Sequence, residues 1–250
     1  MYNNLSNTLF IGKSLIYLPT CHSTNDELAS LVDSATPEGL TVITSDQTAG
    51  KGQRGNTWES APYKNLTFSV LLKPHFLPVR QQFDLNLVAS LAVFDVLTNL
   101  TEKKVKIKWP NDIICDNKKI CGILIQNVLK KDLIAHSIVG VGLNVNQESF
   151  SYSTATSLQQ VTGEQHSLED ILISLLEKLE ARYLQLKSKS SVLKKEYLEN
   201  LYWIGEERLF KSEGEVFKAV IRGVDESGYL VVESQTGDRK FGIKEIQYVG

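Results

Sequence analysis

Cysteine is scarce in this 250-residue chain: Cys21, Cys115 and Cys121, an odd number with no CxxC spacing. That excludes a disulfide framework and a cysteine zinc site, and suits buried, inert thiols in a reducing cytosol. Excess charge is missing too. The net charge of −2 sets up no global pull toward nucleic acid or an anionic membrane. No apolar run approaches the ~20 residues that span a bilayer, and Met1–Ile11 lacks the basic and apolar regions of a signal peptide. Repeats and low-complexity tracts are absent, no helix-turn-helix is expected before Thr8, and no Ser-His-Asp or Cys-His arrangement is evident. A soluble, cytoplasmic protein is expected, and 42% hydrophobic and 22% charged content gives it the core of one large domain with a small appendage.

What the chain does have begins with Ser45–Glu59, where Gly50, Gly52 and Gly55 alternate with Lys51, Gln53 and Arg54 and Trp58 follows. Glycines let a loop turn its N–H groups toward an anion at close range. Lys51 and Arg54 add positive charge there, and Trp58 offers a flat face for a planar ligand. The spacing matches neither the Rossmann fingerprint nor the Walker A loop. A solvated, flexible surface loop fits the composition equally well.

Taken in order, Thr8–Leu18 reads as a first strand. Ser23-Thr24-Asn25 with Asp26 then opens a helix in a capping-box-like pattern. Ser23 is either a cap alone or part of a polar cluster at a helix N-terminus that favours an anionic group. Leu40–Ser45 and Asn65–Leu72 read as strands, the second half-buried, with Thr67 and Ser69 opposite its apolar face. Gln81–Thr101 has helical spacing. Val105, Ile107 and Trp109 alternate with Lys104, Lys106 and Lys108, as on a charged edge strand. The strand ends in Pro110-Asn111-Asp112, a turn sequence that equally supplies oxygen ligands for Mg²⁺.

Ile113–Cys115 and Ile120–Ile125 form a hairpin about Asp116-Asn117-Lys118, and the period of two puts Lys119 on the side of Cys121, Ile123 and Ile125. Leu133–Val145 is a strand whose Gly140 and Gly142 permit close approach by a neighbour or ligand. Thr154–Gly163 predicts a short helix and turn, and Leu168–Leu186 and Val192–Leu201 two further helices. From Glu206, short strands with regular turns predict a barrel of about forty residues packed on the main domain.

Ser23-Thr24-Asn25, the Gln47–Gly55 loop with Trp58, Lys108-Trp109-Pro110-Asn111-Asp112, Lys119-Ile120-Cys121-Gly122 and Gly140–Asn144 together resemble bacterial biotin–protein ligases over nearly the whole chain. The resemblance implies an α+β fold, with a class II synthetase-like mixed sheet over residues 1–203 and an SH3-like barrel over 204–250. It implies formation of biotinyl-5′-AMP from biotin and Mg·ATP, then transfer of biotin to a lysine of a biotin carboxyl carrier protein domain. Ser23, Thr24, Asn25, Gln47, Gly50, Lys51, Gly52, Gln53, Lys119 and Gly122 would line the biotin site. Arg54, Gly55, Trp58, Lys108, Asn111 and Asn144 would meet ATP, Asp112 and Asn111 would hold Mg²⁺, and Lys119, Lys51 and Arg54 would be catalytic. Many relatives carry Arg at the position of Lys51 and some at Gln53; lysine lacks the bidentate fork, which implies a weaker grip on phosphate. No DNA or membrane partner is expected, and a homodimer through an exposed sheet strand is open. The alternatives are a lipoate– or octanoate–protein ligase and a non-catalytic biotin sensor.

Overall fold

The computed structural model describes residues 7–249, and the side chain of Arg54 lies outside the description. The elements run β1 (Leu15–Cys21), α1 (Thr24–Leu31), β2 (Thr41–Gln47), β3 (Leu66–Leu72), α2 (Asp84–Leu100), β4 (Val105–Lys108), β5 (Asp112–Cys115), β6 (Lys118–Lys130), β7 (Leu133–Leu143), α3 (Leu158–Thr162) and α4 (Leu168–Glu199). A β-rich tail follows: β8 (Glu207–Ser212), β9 (Glu215–Val224), β10 (Leu230–Ser234), β11 (Gly237–Phe241) and β12 (Gln247–Val249).

Strand order in the large sheet is β1-β2-β3-β7-β6-β5-β4. β1 and β2 are parallel and the other pairs antiparallel, so the sheet is mixed. Alternation sorts the side chains onto two faces. On one, Phe68, Val70, Val139, Val141, Cys121 and Ile113 meet α2 and α4 in the main core. On the other, Val42, Leu71 and Ile138 pack under Leu28 of α1. β3 is therefore buried along its whole length rather than half-buried, because α1 roofs the Thr67 and Ser69 side.

Other expectations change in detail. The first strand starts at Leu15, since Leu9, Phe10 and Ile11 instead donate backbone N–H bonds of 2.6, 2.8 and 3.0 Å to the buried Glu180 carboxylate. β1 runs through Pro19, which an edge strand tolerates. The two helices expected after Leu168 are halves of α4, joined at Lys189 with φ −145° and ψ 53°. The stretch Val79–Leu100 is 22 residues long and apolar enough by composition to cross a membrane, contrary to the sequence reading, but it is mostly buried in the core around α2.

The tail forms an antiparallel sheet of order β11-β10-β9-β8-β12. These five antiparallel strands fit the small C-terminal β domain that was expected; among the described residues β11 and β12 do not pair. The sheet shares the main core through Phe210, Ile221, Leu230 and Val232.

Candidate active site

Register alone builds the floor of a cleft. Lys108 pairs with Asp112, Asp112 with Gly122, Gly122 with Gly142, Gly142 with Thr67 and Thr67 with Thr44. Paired residues share a face, so these form one row across the sheet on the side of α1. Lys108 and Asp112 stand at one end, bare glycine backbone in the middle and hydroxyls at the other. The cleft above has a volume of about 1050 Å³.

The glycines matter because of what lies on them. A Cβ on Gly142 would sit 2.5 Å from Trp58 Cε2, and one on Gly122 2.9 Å from Trp58 Cζ3. A Cβ on Gly140 would sit 2.2 Å from Asn25 Oδ1. The indole thus rests on the sheet, with its buried Nε1 lacking a hydrogen-bond partner.

Ser23 stands at the N-cap of α1, but its side chain makes no capping bond; it is buried and borders the cleft. The cap-only reading therefore fails. Thr24 N–H donates to Gln47 Oε1 at 2.9 Å. Ser69 Oγ lies 2.7 Å from Thr24 Oγ1 and 2.6 Å from Asn25 Oδ1, and Asn25 Nδ2 donates to Gln126 Oε1 at 2.9 Å. This end of the cleft is an array of uncharged donors and acceptors, several of them bonded to one another.

The glycine loop is an ordered flap. Trp58 N–H donates to Gly50 O at 2.9 Å, Gly52 N–H to Asn56 O at 2.7 Å, and Lys51 bridges Thr57. Lys51 Nζ lies 2.6 Å from Asp26 Oδ2 in α1, a half-exposed pair that ties the flap to the neutral end.

Lys119 is where the period of two misleads. β5 and β6 slip register between Ile113 and Ile114: Ile113 faces Cys121, but Ile114 faces Lys119. Ile120 is the extra residue of a β-bulge, which flips Lys119 away from Cys121 and Ile123 onto the cleft side. Its backbone is pinned by Lys119 N–H to Thr154 O (2.7 Å) and Thr156 N–H to Lys119 O (2.9 Å). Its Nζ lies 2.7 Å from Asp112 Oδ1 and 5.4 Å from the Trp58 ring centroid.

Lys108 is half-buried at the end of edge strand β4, with its Nζ 4.6 Å over the ring of Tyr248. Burial pushes its pKa below the ordinary lysine value; Asp112 opposes the shift and Lys119 adds to it. Asn111 Nδ2 donates to Ile123 O at 2.7 Å. Asn144 is buried, its Nδ2 donating to Thr156 O at 2.9 Å while its Oδ1 has no partner. The three thiols are free and buried, and burial raises Cys115 to about 11; none is a nucleophile here.

Of the predicted positions, Ser23, Thr24, Asn25, Gln47, Lys51, Gly52, Gln53, Gly55, Trp58, Lys108, Asn111, Asp112, Lys119, Gly122 and Asn144 all border the one cleft. Gly50 does not: a Cβ there would lie 2.5 Å from Trp58 O, so it serves the flap's own turn. Arg54 has only its backbone described. Sequence reasoning missed Thr67, read as a strand's outer face, and the wall formed by Ile243, Ile246 and Tyr248 of the tail. The polar side of β3 carried a signal for the first; nothing local signalled the second.

The model of the biotin/lipoate A/B protein ligase family matches residues 17–144. The bifunctional ligase/repressor BirA of Bacillus spizizenii is 30% identical over 246 residues, 96% of this chain and 75% of that protein. The biotin–[acetyl-CoA-carboxylase] ligase of Mycobacterium tuberculosis is 30% identical over 84% of this chain and 80% of its own. Among solved structures, the biotin protein ligase of Aquifex aeolicus in complex with biotin and ATP superposes with a TM-score of 0.79 at 28% identity, over 95% of this chain and 100% of that one.

Proposed function

The chain belongs to the biotin/lipoate A/B protein ligase family, and we propose that it is a biotin–protein ligase. It makes biotinyl-5′-AMP from biotin and ATP and passes biotin to a lysine of a biotin carboxyl carrier protein domain. The observation that carries this reading is the two-ended cleft. Four inter-strand steps, roughly 19 Å, separate the Lys108 end from the Thr67 end, enough for a vitamin and a nucleotide laid end to end.

The neutral end suits a ureido ring, which presents two N–H donors and a carbonyl. Ser23, Thr24, Asn25 and Gln47 offer matching groups without net charge. A lipoyl or octanoyl chain would offer those groups neither donor nor acceptor. That favours biotin over the other acids of this family.

At the other end, Lys108 and Lys119 meet anions, and the flap's Lys51 adds positive charge along the cleft's border. In the first step a carboxylate oxygen attacks the α-phosphorus, the O–Pα bond forms, and the bond to pyrophosphate breaks. Both reactants are negative, so the protein's task is to align them and to offset their repulsion. Lys119, held by its bulge over the middle of the row, stands where carboxylate and α-phosphate meet. In the second step the carrier's lysine amine attacks the acyl carbon, an amide forms, and AMP departs.

Magnesium enters as part of the Mg·ATP substrate, and the donor set fits it. Mg²⁺ takes one or two carboxylates plus substrate phosphates rather than an all-protein cage. Asp112 supplies the carboxylate. The Asn111 bond to Ile123 O leaves its amide oxygen available. Among the described residues no group of three His, Cys, Asp or Glu forms a separate metal cage. The ion would draw charge from the phosphates; Lys119 then exchanges Asp112 for the reacting oxygens. The reading includes a cytoplasmic setting, which suits three free thiols.

Pyrophosphate exchange with biotin, lipoate or octanoate, followed by label transfer to a biotin carrier domain, tests the proposal. Exchange with biotin and transfer to the carrier are expected. Exchange driven by lipoate or octanoate, or tight biotin binding with no exchange, would overturn it.

A further inference from the structure

The polar end of the cleft rests on a residue that does not border it. Ser69 of β3 pairs with Gly140 of β7, and Gly140 with Leu124 of β6. This row lies on the α1 side, two residues along each strand from Thr67, Gly142 and Gly122 of the cleft's floor. Ser69 is fully buried, and Asn25 lies across the row, against the bare backbone of Gly140. Ser69 Oγ is within reach of two oxygens, Thr24 Oγ1 at 2.7 Å and Asn25 Oδ1 at 2.6 Å. A serine hydroxyl has one proton to give.

The bonds around it settle where each proton goes. Asn25 Nδ2 lies 3.3 Å from Leu124 O, a carbonyl that only accepts. That contact assigns the amide: its nitrogen faces Leu124, and its carbonyl oxygen faces Ser69. A carbonyl oxygen cannot donate, so Ser69 gives its proton to Asn25 Oδ1. The 2.7 Å contact with Thr24 then takes the threonine's proton, and Thr24 Oγ1–H donates to Ser69 Oγ. Gln47 Oε1 accepts Thr24 N–H at 2.9 Å and lies 3.4 Å from Thr24 Oγ1. With the Thr24 proton committed to Ser69, no hydrogen lies between those two oxygens. Two acceptors thus stand together on residues that both border the cleft, a pair that an N–H donor would bridge.

We propose that Ser69 is a positioning residue that sets hydrogen-bond direction at the biotin end. By taking the Thr24 hydroxyl proton, it makes Thr24 Oγ1 and Gln47 Oε1 a pair of acceptors that selects an N–H donor, here a ureido N–H of biotin. Ser69 touches no ligand and acts through Thr24. An acyl chain has no donor for this pair, so the direction of one buried hydroxyl bears on the choice among the acids this family uses. The inference rests on the ligase reading and adds to it a residue that selects the class of substrate.

The test compares the full-length wild type with Ser69→Ala, Thr24→Val and the double variant. Calorimetry with biotin and with Mg·ATP, the KM and kcat of biotin-dependent pyrophosphate exchange, and the melting temperature are measured on each. In Ser69→Ala the Thr24 proton is free to turn to Gln47 Oε1. Biotin affinity is expected to fall about five- to tenfold, the scale of one hydrogen bond. The KM for biotin should rise with it, while kcat changes little and Mg·ATP affinity stays as in the wild type. Thr24→Val removes the hydroxyl through which Ser69 acts, so adding Ser69→Ala to it is expected to cost little further biotin affinity. Biotin binding by Ser69→Ala equal to wild type would overturn the inference, and so would fully additive losses in the double variant. Parallel loss of biotin and ATP affinity with a lower melting temperature, the pattern of a purely structural role, would overturn it as well. A wild type without biotin-dependent exchange would instead overturn the ligase reading, and the inference with it.

Discussion

Lys119 concentrates the site's chemistry in one side chain, and its removal separates function from fold. Its Nζ is partly solvated and paired with Asp112, and such a pair contributes about 0–1 kcal/mol to stability. In the adenylation step the same charge faces two converging anions, where a preorganised donor is typically worth about 100-fold or more in rate. Lys119→Ala is therefore expected to slow single-turnover adenylate formation by at least about 100-fold while shifting the denaturation midpoint little. Unchanged turnover would remove Lys119 from the site. Lys51 works differently: it holds the flap to Asp26 through a point charge. Arg at this position adds a bidentate fork for phosphate, so Lys51→Arg is expected to slow escape of biotinyl-AMP, measured by dilution or chase. Equal dissociation rates in the two proteins would refute this. The sequence made both lysines legible as cations near the glycine loop and the Pro-Asn-Asp turn. It misassigned the face of Lys119, because a bulge adds one residue to one strand of a pair and leaves no mark on a period of two.

At the scale of elements, the strands and long helices were legible because their apolar residues repeat at 2.0 or 3.6, and that repeat is the cause of their burial. β3 was misjudged for a related reason. Alternation reports which side of a strand is apolar, but not that α1 lies over the polar side. Packing between α2 and α4 was legible only as two apolar stripes; the polar seam beside them was not. There Arg182 holds Asp95 with two bonds of 2.8 Å and also reaches Glu196. Nearby, buried Asp84 at the start of α2 has Lys194 Nζ at 3.6 Å. Burial raises the Asp84 carboxyl above its ordinary 3.8, and Lys194 offsets part of the shift. The folded state thus holds this proton more tightly than the unfolded chain. The stabilisation from Asp84 is complete below the unfolded value and is lost as pH rises through the folded one. Relative to Asp84→Asn, the wild type should therefore lose stability as pH rises from below 4 toward neutrality. Denaturant titrations of both proteins across that range check the sign, and a wild-type advantage that grows with pH would contradict it.

For the whole molecule, the question is whether two sheets make two units. Composition suggested a break near residue 204, where helices give way to short strands, and that boundary is visible because periodicity changes there. Contacts across it are not visible in the sequence, since they join residues far apart along the chain. Trp109 Nε1–H donates to Gly228 O at 3.0 Å from the end of β4. The segment after α4 runs beside β4, with Ile107 N–H donating to Asn200 O at 2.9 Å and Tyr202 N–H to Ile107 O at 2.7 Å, so the sheet's edge is covered. One apolar core runs from Ile107 and Phe83 into Phe210 and Leu230, and Tyr248 ties the second sheet to the cleft itself. We therefore expect residues 1–203 and 204–250 to unfold together in a single calorimetric transition. Gly228 tests the seam, because its φ of +91° is left-handed and an added Cβ would lie 2.6 Å from Phe83 Cγ. Strain and overpacking together make Gly228→Ala destabilising by roughly 2–3 kcal/mol. In a protein of this size that lowers the melting temperature by about 4–12 °C. The whole transition should move. A second transition separating from the first, with only the lower one displaced, would mean that the two sheets fold independently and that the cleft borrows its far wall from a separable domain.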